Sequence, residues 1–277
     1  MGCQQHLSTQ FHELSAFLVP CTIIFDMKLS VVIITFNEER NLQRCLESVK
    51  DVASEIIVLD SFSTDSTREI AEKYRATFVQ HAFDGHIQQK NRAWKLASHE
   101  WILSLDADEA LDAELQQSIR RAVEENDAQV DGFTMNRLTN YCGTFIHHSG
   151  WYPDTKLRLF RKGKGEWGGV NPHDKFEVFS QRTHHLKGDI LHYSYYTRED
   201  HLKQIEYFSG IASRELYERG KKVGWVHIVG KVIFQYLKNI LLRRGFLDGS
   251  AGFTIARLSA YATWRKYTKL KELYREG

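Results

Sequence analysis

The sequence has three prolines and four cysteines among 277 residues, so neither residue type can organise the fold. Cys3, Cys21, Cys45 and Cys142 form no C-x-x-C pair and keep no regular spacing, which argues against a zinc ribbon or a disulfide framework. A reducing cytosol is the expected setting. Thirteen histidines are present without an H-E-x-x-H, so most are read as surface or core residues rather than metal ligands. No G-x-G-x-x-G follows the first apolar run and no G-x-x-x-x-G-K-[ST] occurs anywhere, which speaks against a dinucleotide dehydrogenase and a P-loop nucleotidase. Long hydrophobic runs are also missing. "FLVPCTIIF" near the start is too short to span a bilayer. The residues before it offer no positive n-region, with His6, His12 and Glu13 in its place, so a signal peptide is not expected either. Residues 1–26 are read as an upstream extension outside the fold, and the domain is expected to start at Met27.

Charge of one sign is scarce only in part of the chain. The net charge is +2, yet from Lys221 onward there are twelve Lys/Arg against three Asp/Glu, which leaves the preceding residues net acidic. A basic tail of this kind suits an anionic surface as its partner.

What the chain does contain is alternation. "KLSVVIIT" (28–35) and "EIIVLD" (55–60) are short, β-branched and continuously apolar, as parallel strands covered on both faces are. Between them Leu42, Cys45, Leu46 and Val49 recur at i, i+3, i+4, i+7, which predicts one helical stripe. "TDSTREIAEKY" predicts a second helix with Asp65 or Ser66 as N-cap, "TFVQ" a third strand, "HIQQKNRAWKLAS" a third helix and "WILSL" a fourth strand. Regular β-α units predict an α/β fold built on a doubly wound parallel sheet with right-handed crossovers.

In such sheets ligands collect beyond the carboxyl ends of the strands. Thr35, Asn37 and Glu38 fall there after the first strand, Asp60, Ser61 and Asp65 after the second, and Asp106 and Asp108 after the fourth. The fourth strand runs straight into "DADE", three carboxylates within four residues. D-x-D arises by chance roughly once in a chain of this length and composition, so position must decide its meaning. An EF-hand counted from Asp106 would need Asp/Asn at 110, Gly at 111 and Glu at 117, where Ala110, Leu111 and Gln117 stand. A carboxylate pair on a tight loop can instead hold a divalent cation that in turn holds a diphosphate.

"SVVIITFNEERNL" (30–42), "EIIVLDSFSTDSTREIA" (55–71), "QQKNRAWKLA" (88–97) and "WILSLDADEAL" (101–111) together resemble family 2 glycosyltransferases, in the same order and spacing. Further on, "KLRLFRKG", "NPHDKFEV", "LKGDILHYSY" and "GFLDGSAGF" resemble the lipopolysaccharide core branch that includes β-1,4-glucosyltransferases. The resemblance implies a GT-A, Rossmann-like fold over 27–220 with a helical C-terminal appendage over 221–277. It implies an inverting transfer from a nucleoside-diphosphate sugar, with UDP as the expected nucleotide, to a lipid-linked saccharide. Asp60 matches the acid that contacts base or ribose; Lys90 stands where relatives often carry Arg; Asp106 lies near ribose and metal; Asp108 binds Mg²⁺ or Mn²⁺. Thr35, Asn37 and Glu38 complete the nucleotide-binding set. An inverting transfer also needs a base for the acceptor hydroxyl. Asp174 is the residue the resemblance assigns, with Glu177 as the alternative. A sugar nucleotidyltransferase of related fold is the other reading, but "TFNEERNL" lacks the Gly-rich basic loop such enzymes carry.

Between 131 and 197, Tyr141, Trp151, Tyr152, Arg158, Arg161, Trp167, His192 and Tyr193 offer stacking faces and cationic donors for an acceptor bearing phosphate or carboxylate, though any single one is more often core than contact. The tail predicts a helix over 225–244 with a narrow polar stripe, then a loop over 245–252 and a basic helix over 253–274. Lys231 and Lys238 argue against a spanning helix. The expected partner is an anionic membrane surface rather than nucleic acid, and the expected place is the cytoplasm, peripheral on the inner face of the membrane. A dimer interface or a lid over the acceptor site is the competing reading of the tail.

Overall fold

The computed structural model of the chain describes residues 28–170 and 173–276, so the expected extension over 1–26 lies outside the described residues. Strands β1 (Leu29–Thr35), β2 (Glu55–Asp60), β3 (Thr77–Gln80) and β4 (Trp101–Asp106) alternate with helices α1 (Leu42–Val49), α2 (Thr67–Lys73) and α3 (His86–Leu96). These four strands are parallel and stand in the order β3-β2-β1-β4. Strand β1 is apolar throughout because both its faces are covered. Val31 and Ile33 pack with α1 and its stripe of Leu42, Cys45, Leu46 and Val49, while Val32 packs with Ala93 of α3. Burying each such aliphatic side chain contributes about 1.5–3 kcal/mol.

Beyond β4 the sheet departs from the parallel expectation. It continues through β8 (Asp154–Arg161), β6 (Gly132–Tyr141), β11 (Thr183–Tyr195) and β5 (Glu109–Leu111), with β7 (Thr144–Phe145) attached to β6. Strand β8 runs antiparallel to β4 and to β6, and β5 antiparallel to β11. The sheet is therefore mixed, because the chain after α4 (Ala113–Glu125) returns through hairpin-like strands instead of further β-α units. Pairing between β4 and β8 covers only Trp101–Leu103, so the last three residues of β4 keep their ladder with β1 while β8 diverges from them. That divergence creates the cavity described below. A two-stranded hairpin of β9 (Gly165–Val170) and β10 (His173–Val178) closes its flank, with Phe160 stacked on Phe176 at a centroid distance of 3.6 Å.

The C-terminal helices form a separate layer. Helix α5 (Arg198–Glu218) starts on a capping box between Thr197 and Asp200. Helix α6 (Trp225–Leu237) continues into a wider π turn over Lys238–Leu242, and α7 spans Gly249–Glu276, beginning four residues earlier than the sequence predicts. Glu206 of α5 bonds Arg265 and Lys269 of α7, and Ile228 of α6 packs on Tyr267 and Leu270. The early start depends on a close crossing: a Cβ on Gly252 would meet the Gly245 carbonyl oxygen at 1.8 Å. Asp248 fastens this turn to the loop after β7 by accepting from the backbone N–H groups of His147 and His148.

Candidate active site

A cavity of about 890 Å³ opens beyond the carboxyl ends of β1 and β4. Strand order reverses between these two neighbours, the switch point where open α/β sheets bind ligands. The size suits a nucleotide-sized ligand.

The strand ends deliver the carboxylates as the sequence predicts, but the structure gives them unequal tasks. Lys90, in the middle of α3 and almost wholly buried, places its Nζ 2.8 Å from Asp106 Oδ1 and 2.8 Å from Asp174 Oδ2. Arg158 of β8 sets a guanidinium nitrogen 2.8 Å from Asp106 Oδ2. Burial works to raise the Asp106 carboxyl, but Lys90 and then Arg158 outweigh it and hold it well below the usual carboxylate range. Both Asp106 oxygens already face cations, so as a metal ligand it is the poorer of the expected pair.

Asp108 is placed differently. Its Oδ2 lies 3.2 Å from His192 Nε2, and its backbone carbonyl accepts from the Tyr193 N–H, so β11 holds the turn against the cavity. Among the described residues no group of three or more His, Cys, Asp or Glu gathers as a cage for a metal. One carboxylate and one imidazole facing a cavity fit a cation that keeps most positions for water and substrate phosphate, as Mg²⁺ does.

The third acid of "DADE", Glu109, is fully buried. Its Oε2 accepts the Asp106 N–H at 3.0 Å, while Oε1 accepts from Arg158 at 2.7 Å and lies 3.4 Å from Arg137. Glu109 therefore braces the turn from behind. Burial pulls the Arg158 guanidinium toward neutrality, and Glu109 and Asp106 overcome that and hold it charged.

The remaining sequence-predicted residues divide between cavity wall and support. Thr35 and Glu38 line the cavity; Asn37 and Asp60 do not. Asp60 is buried behind the wall. Its carboxylate accepts from Thr35 Oγ1 (2.9 Å), the Ser63 N–H (2.8 Å), Ser63 Oγ and Gln80 Nε2 (3.3 Å), so it ties together the ends of β1, β2 and β3. Asn37 adopts φ 55°, which Asn tolerates, and its Oδ1 accepts the Thr64 N–H at 2.9 Å. Ser66 stands at the N-cap of α2 without a side-chain cap bond, and Asp65 just before it accepts from the Thr67 N–H at 3.1 Å. The Glu38 carboxyl is pushed up to about 7, first by burial and then by Asp108 and Asp106, against a hydrogen bond from Asn41.

Asp174 faces the cavity from β10, whereas Glu177 is exposed and paired with Lys175. Three residues apart on a strand, the two acids point to opposite faces. Trp167 of β9 lies under both Lys90 and Arg158, and Asn91 fastens the hairpin to α3 through both polar atoms of its amide, at 2.8 and 3.0 Å to the Trp167 backbone. Of the eight aromatic and basic residues singled out between 131 and 197, Arg158, Trp167 and His192 reach the cavity, as Arg137 does beside them; Tyr141 and Trp151 pack against α7 instead. Sequence reasoning assigned no role to Glu109 and placed His192 only among the acceptor-side candidates, not beside Asp108. Their signals were only a third acid beside D-x-D and one histidine among thirteen.

The cavity thus lies at the switch point of an α/β sheet, with the Asp106–Asp108 turn on one side and the Asp174 carboxylate on the facing hairpin. The chain belongs to glycosyl transferase family 2, whose family description matches residues 30–201. It is 31% identical to an uncharacterized glycosyltransferase of Rickettsia bellii, over 89% of this chain and 87% of that one. It is 27% identical to the lipopolysaccharide core biosynthesis glycosyltransferase LpsC of Rhizobium meliloti, over 87% of this chain and 93% of the relative. Among solved structures, Staphylococcus aureus TarS 1–349 matches with a TM-score of 0.45 at 16% identity, over 91% and 92% of the two chains. Glucosyl-3-phosphoglycerate synthase of Mycobacterium tuberculosis, solved with Mn²⁺, UDP and glucosyl-3-phosphoglycerate, matches at 0.34 and 21% identity over 42% and 45%. Both structural likenesses are loose; the sequence matches carry the assignment. The protein is thus a glycosyltransferase, and its mixed sheet with covering helices is the GT-A-like architecture expected from the sequence.

Proposed function

We propose that the protein transfers a sugar, with inversion, from a UDP-linked donor to a lipid-linked saccharide of the lipopolysaccharide core type on the cytoplasmic side of a membrane. The observation that carries this reading is the convergence on one cavity of Asp108 with His192, Asp106 with Lys90, and Asp174. The acceptor class draws on the likeness to LpsC.

The donor diphosphate lies at the D-A-D turn, where Asp108 and His192 would hold Mg²⁺ or Mn²⁺. Such a cation supplies charge stabilisation to the departing diphosphate. Thr35 and Glu38 border the nucleotide, and Asp60 keeps the three strand ends in register behind them. Asp174 takes the proton from the acceptor hydroxyl as its oxygen bonds to the anomeric carbon and the bond to the diphosphate oxygen breaks. Lys90 orients both Asp106 and Asp174, coupling the donor side to the acceptor side.

Calorimetric titration with UDP, GDP and dTDP, each with Mn²⁺ and with EDTA, tests this. Mn²⁺-dependent binding of UDP is expected, lost in Asp108→Ala and kept in Asp174→Asn, which instead loses transfer. Absence of binding to every nucleoside diphosphate would overturn the reading.

A further inference from the structure

The helical layer carries a surface the cavity does not use. Along α6 and the π turn, Val226, Val229, Ile233, Leu237 and Leu241 recur every three or four residues and are all exposed, Val226 to 89% and Leu241 to 59%. That spacing puts them on one helix face. The opposite face carries Ile228, wholly buried against α7. Leu242, Phe246 and Leu247 extend the exposed apolar surface around the turn that leads into α7.

The exposed charge along this segment has a single sign. From Lys221 to Arg257 there are seven Lys or Arg and one acid, Asp248. The Asp248 side chain is only 3% exposed and is spent on the loop at His147–Ser149. Every exposed formal charge in the segment is therefore positive.

The geometry points to this face as the seat of an anionic lipid leaflet, with α6 lying in the interface, its apolar side among the acyl chains and the basic residues at the headgroups. No helix among the described residues is long and apolar enough to cross a membrane, so the contact is one of lying on the surface. A second copy of the chain fits less well, because a twofold interface would set these cations against their equivalents with no exposed acid in the segment to neutralise them. The attachment is rigid. Asp248 and the Gly245–Gly252 crossing lock the turn to the loop after β7, and α7 packs on α5, whose Gln204 and Phe208 line the cavity. A leaflet-bound molecule thus holds its cavity at one attitude to the membrane. The inference stands on the helical layer alone and does not require the proposed donor or acceptor.

Flotation of the full chain tests it, with vesicles of phosphatidylglycerol and phosphatidylcholine set against vesicles of phosphatidylcholine alone. Binding to the anionic vesicles at low salt is expected, weakening as salt rises. The double variant Ile233→Ser with Leu237→Ser changes only exposed side chains and should bind at least about tenfold more weakly, with an unchanged circular dichroism spectrum. Lys221→Gln with Arg244→Gln should lower the salt concentration at which binding is half lost. Failure to float with anionic vesicles at low salt, or equal flotation of the Ile233/Leu237 variant, would overturn the inference. So would a concentration-dependent dimer abolished by that same variant, which would assign the face to a second copy.

Discussion

Replacing Glu109 by Gln keeps the shape of the side chain and removes its charge. Glu109 has no exposed side-chain surface, and its two oxygens serve the Asp106 N–H, Arg158 and Arg137. A Gln oxygen can still accept from the Asp106 N–H, but its NH₂ group would then face two guanidinium groups. Arg158 retains Asp106, and Arg137 retains Asp154, so neither cation is left wholly unpaired. Removing one partner from a buried ion pair costs about 3–5 kcal/mol, and the retained pairs place this case near the lower end, about 3 kcal/mol. That is a large share of the roughly 5–15 kcal/mol that holds a typical domain together. Urea unfolding of Glu109→Gln, Arg158→Met and the double variant measures it, with a coupling energy of about 1–3 kcal/mol expected between the two sites. The turn should also loosen its hold on Asp108, so Mn²⁺-dependent nucleotide binding should weaken beyond what stability explains. A Glu109→Gln protein that unfolds within about 0.5 kcal/mol of the parent, the range of ordinary surface substitutions, would refute the brace.

Lys90→Met should cut transfer by about 100-fold through misplacement of Asp174 while leaving nucleotide affinity far less changed than Asp108→Ala does, and steady-state kinetics separating kcat from KM would show it. Lys90→Arg should restore part of the loss, because a cation again reaches both carboxylates. His201, buried beside Tyr141 and Trp151, has its pKa lowered by burial from the ordinary 6.5 to about 4. Between those values the unfolded chain binds more protons than the folded one, so stability is complete above pH 6.5 and falls toward pH 4. The full effect is at most about 3.5 kcal/mol, from about 1.4 kcal/mol per pKa unit. His201→Phe should flatten this part of the pH profile in urea melts, and an unchanged slope would count against the assignment.

Much of the parallel half of the fold could be read directly. The runs at β1, β2 and β4 and the Leu42–Val49 stripe follow local periods, and a period is a property of consecutive residues. The mixed half could not. Strands β6, β8 and β11 carry Arg137, Arg158 and His192 inward toward the cavity, which blurs the apolar alternation that would have marked them.

The sequence by itself determined where the carboxylates would stand, because a parallel β-α chain must put the ends of its strands on one side of the sheet. Only the tertiary structure decided what each does. Lys90 meets Asp174 across 84 residues and Arg158 meets Asp106 across 52, and no local pattern encodes a partner at such separations. The same holds for α6. Its amphipathic pattern is that of a helix packed on a core, and it took the packed molecule to show that one apolar face has none of the described residues packed over it. Periodicity reports which side of an element is apolar, and packing alone decides what covers that side.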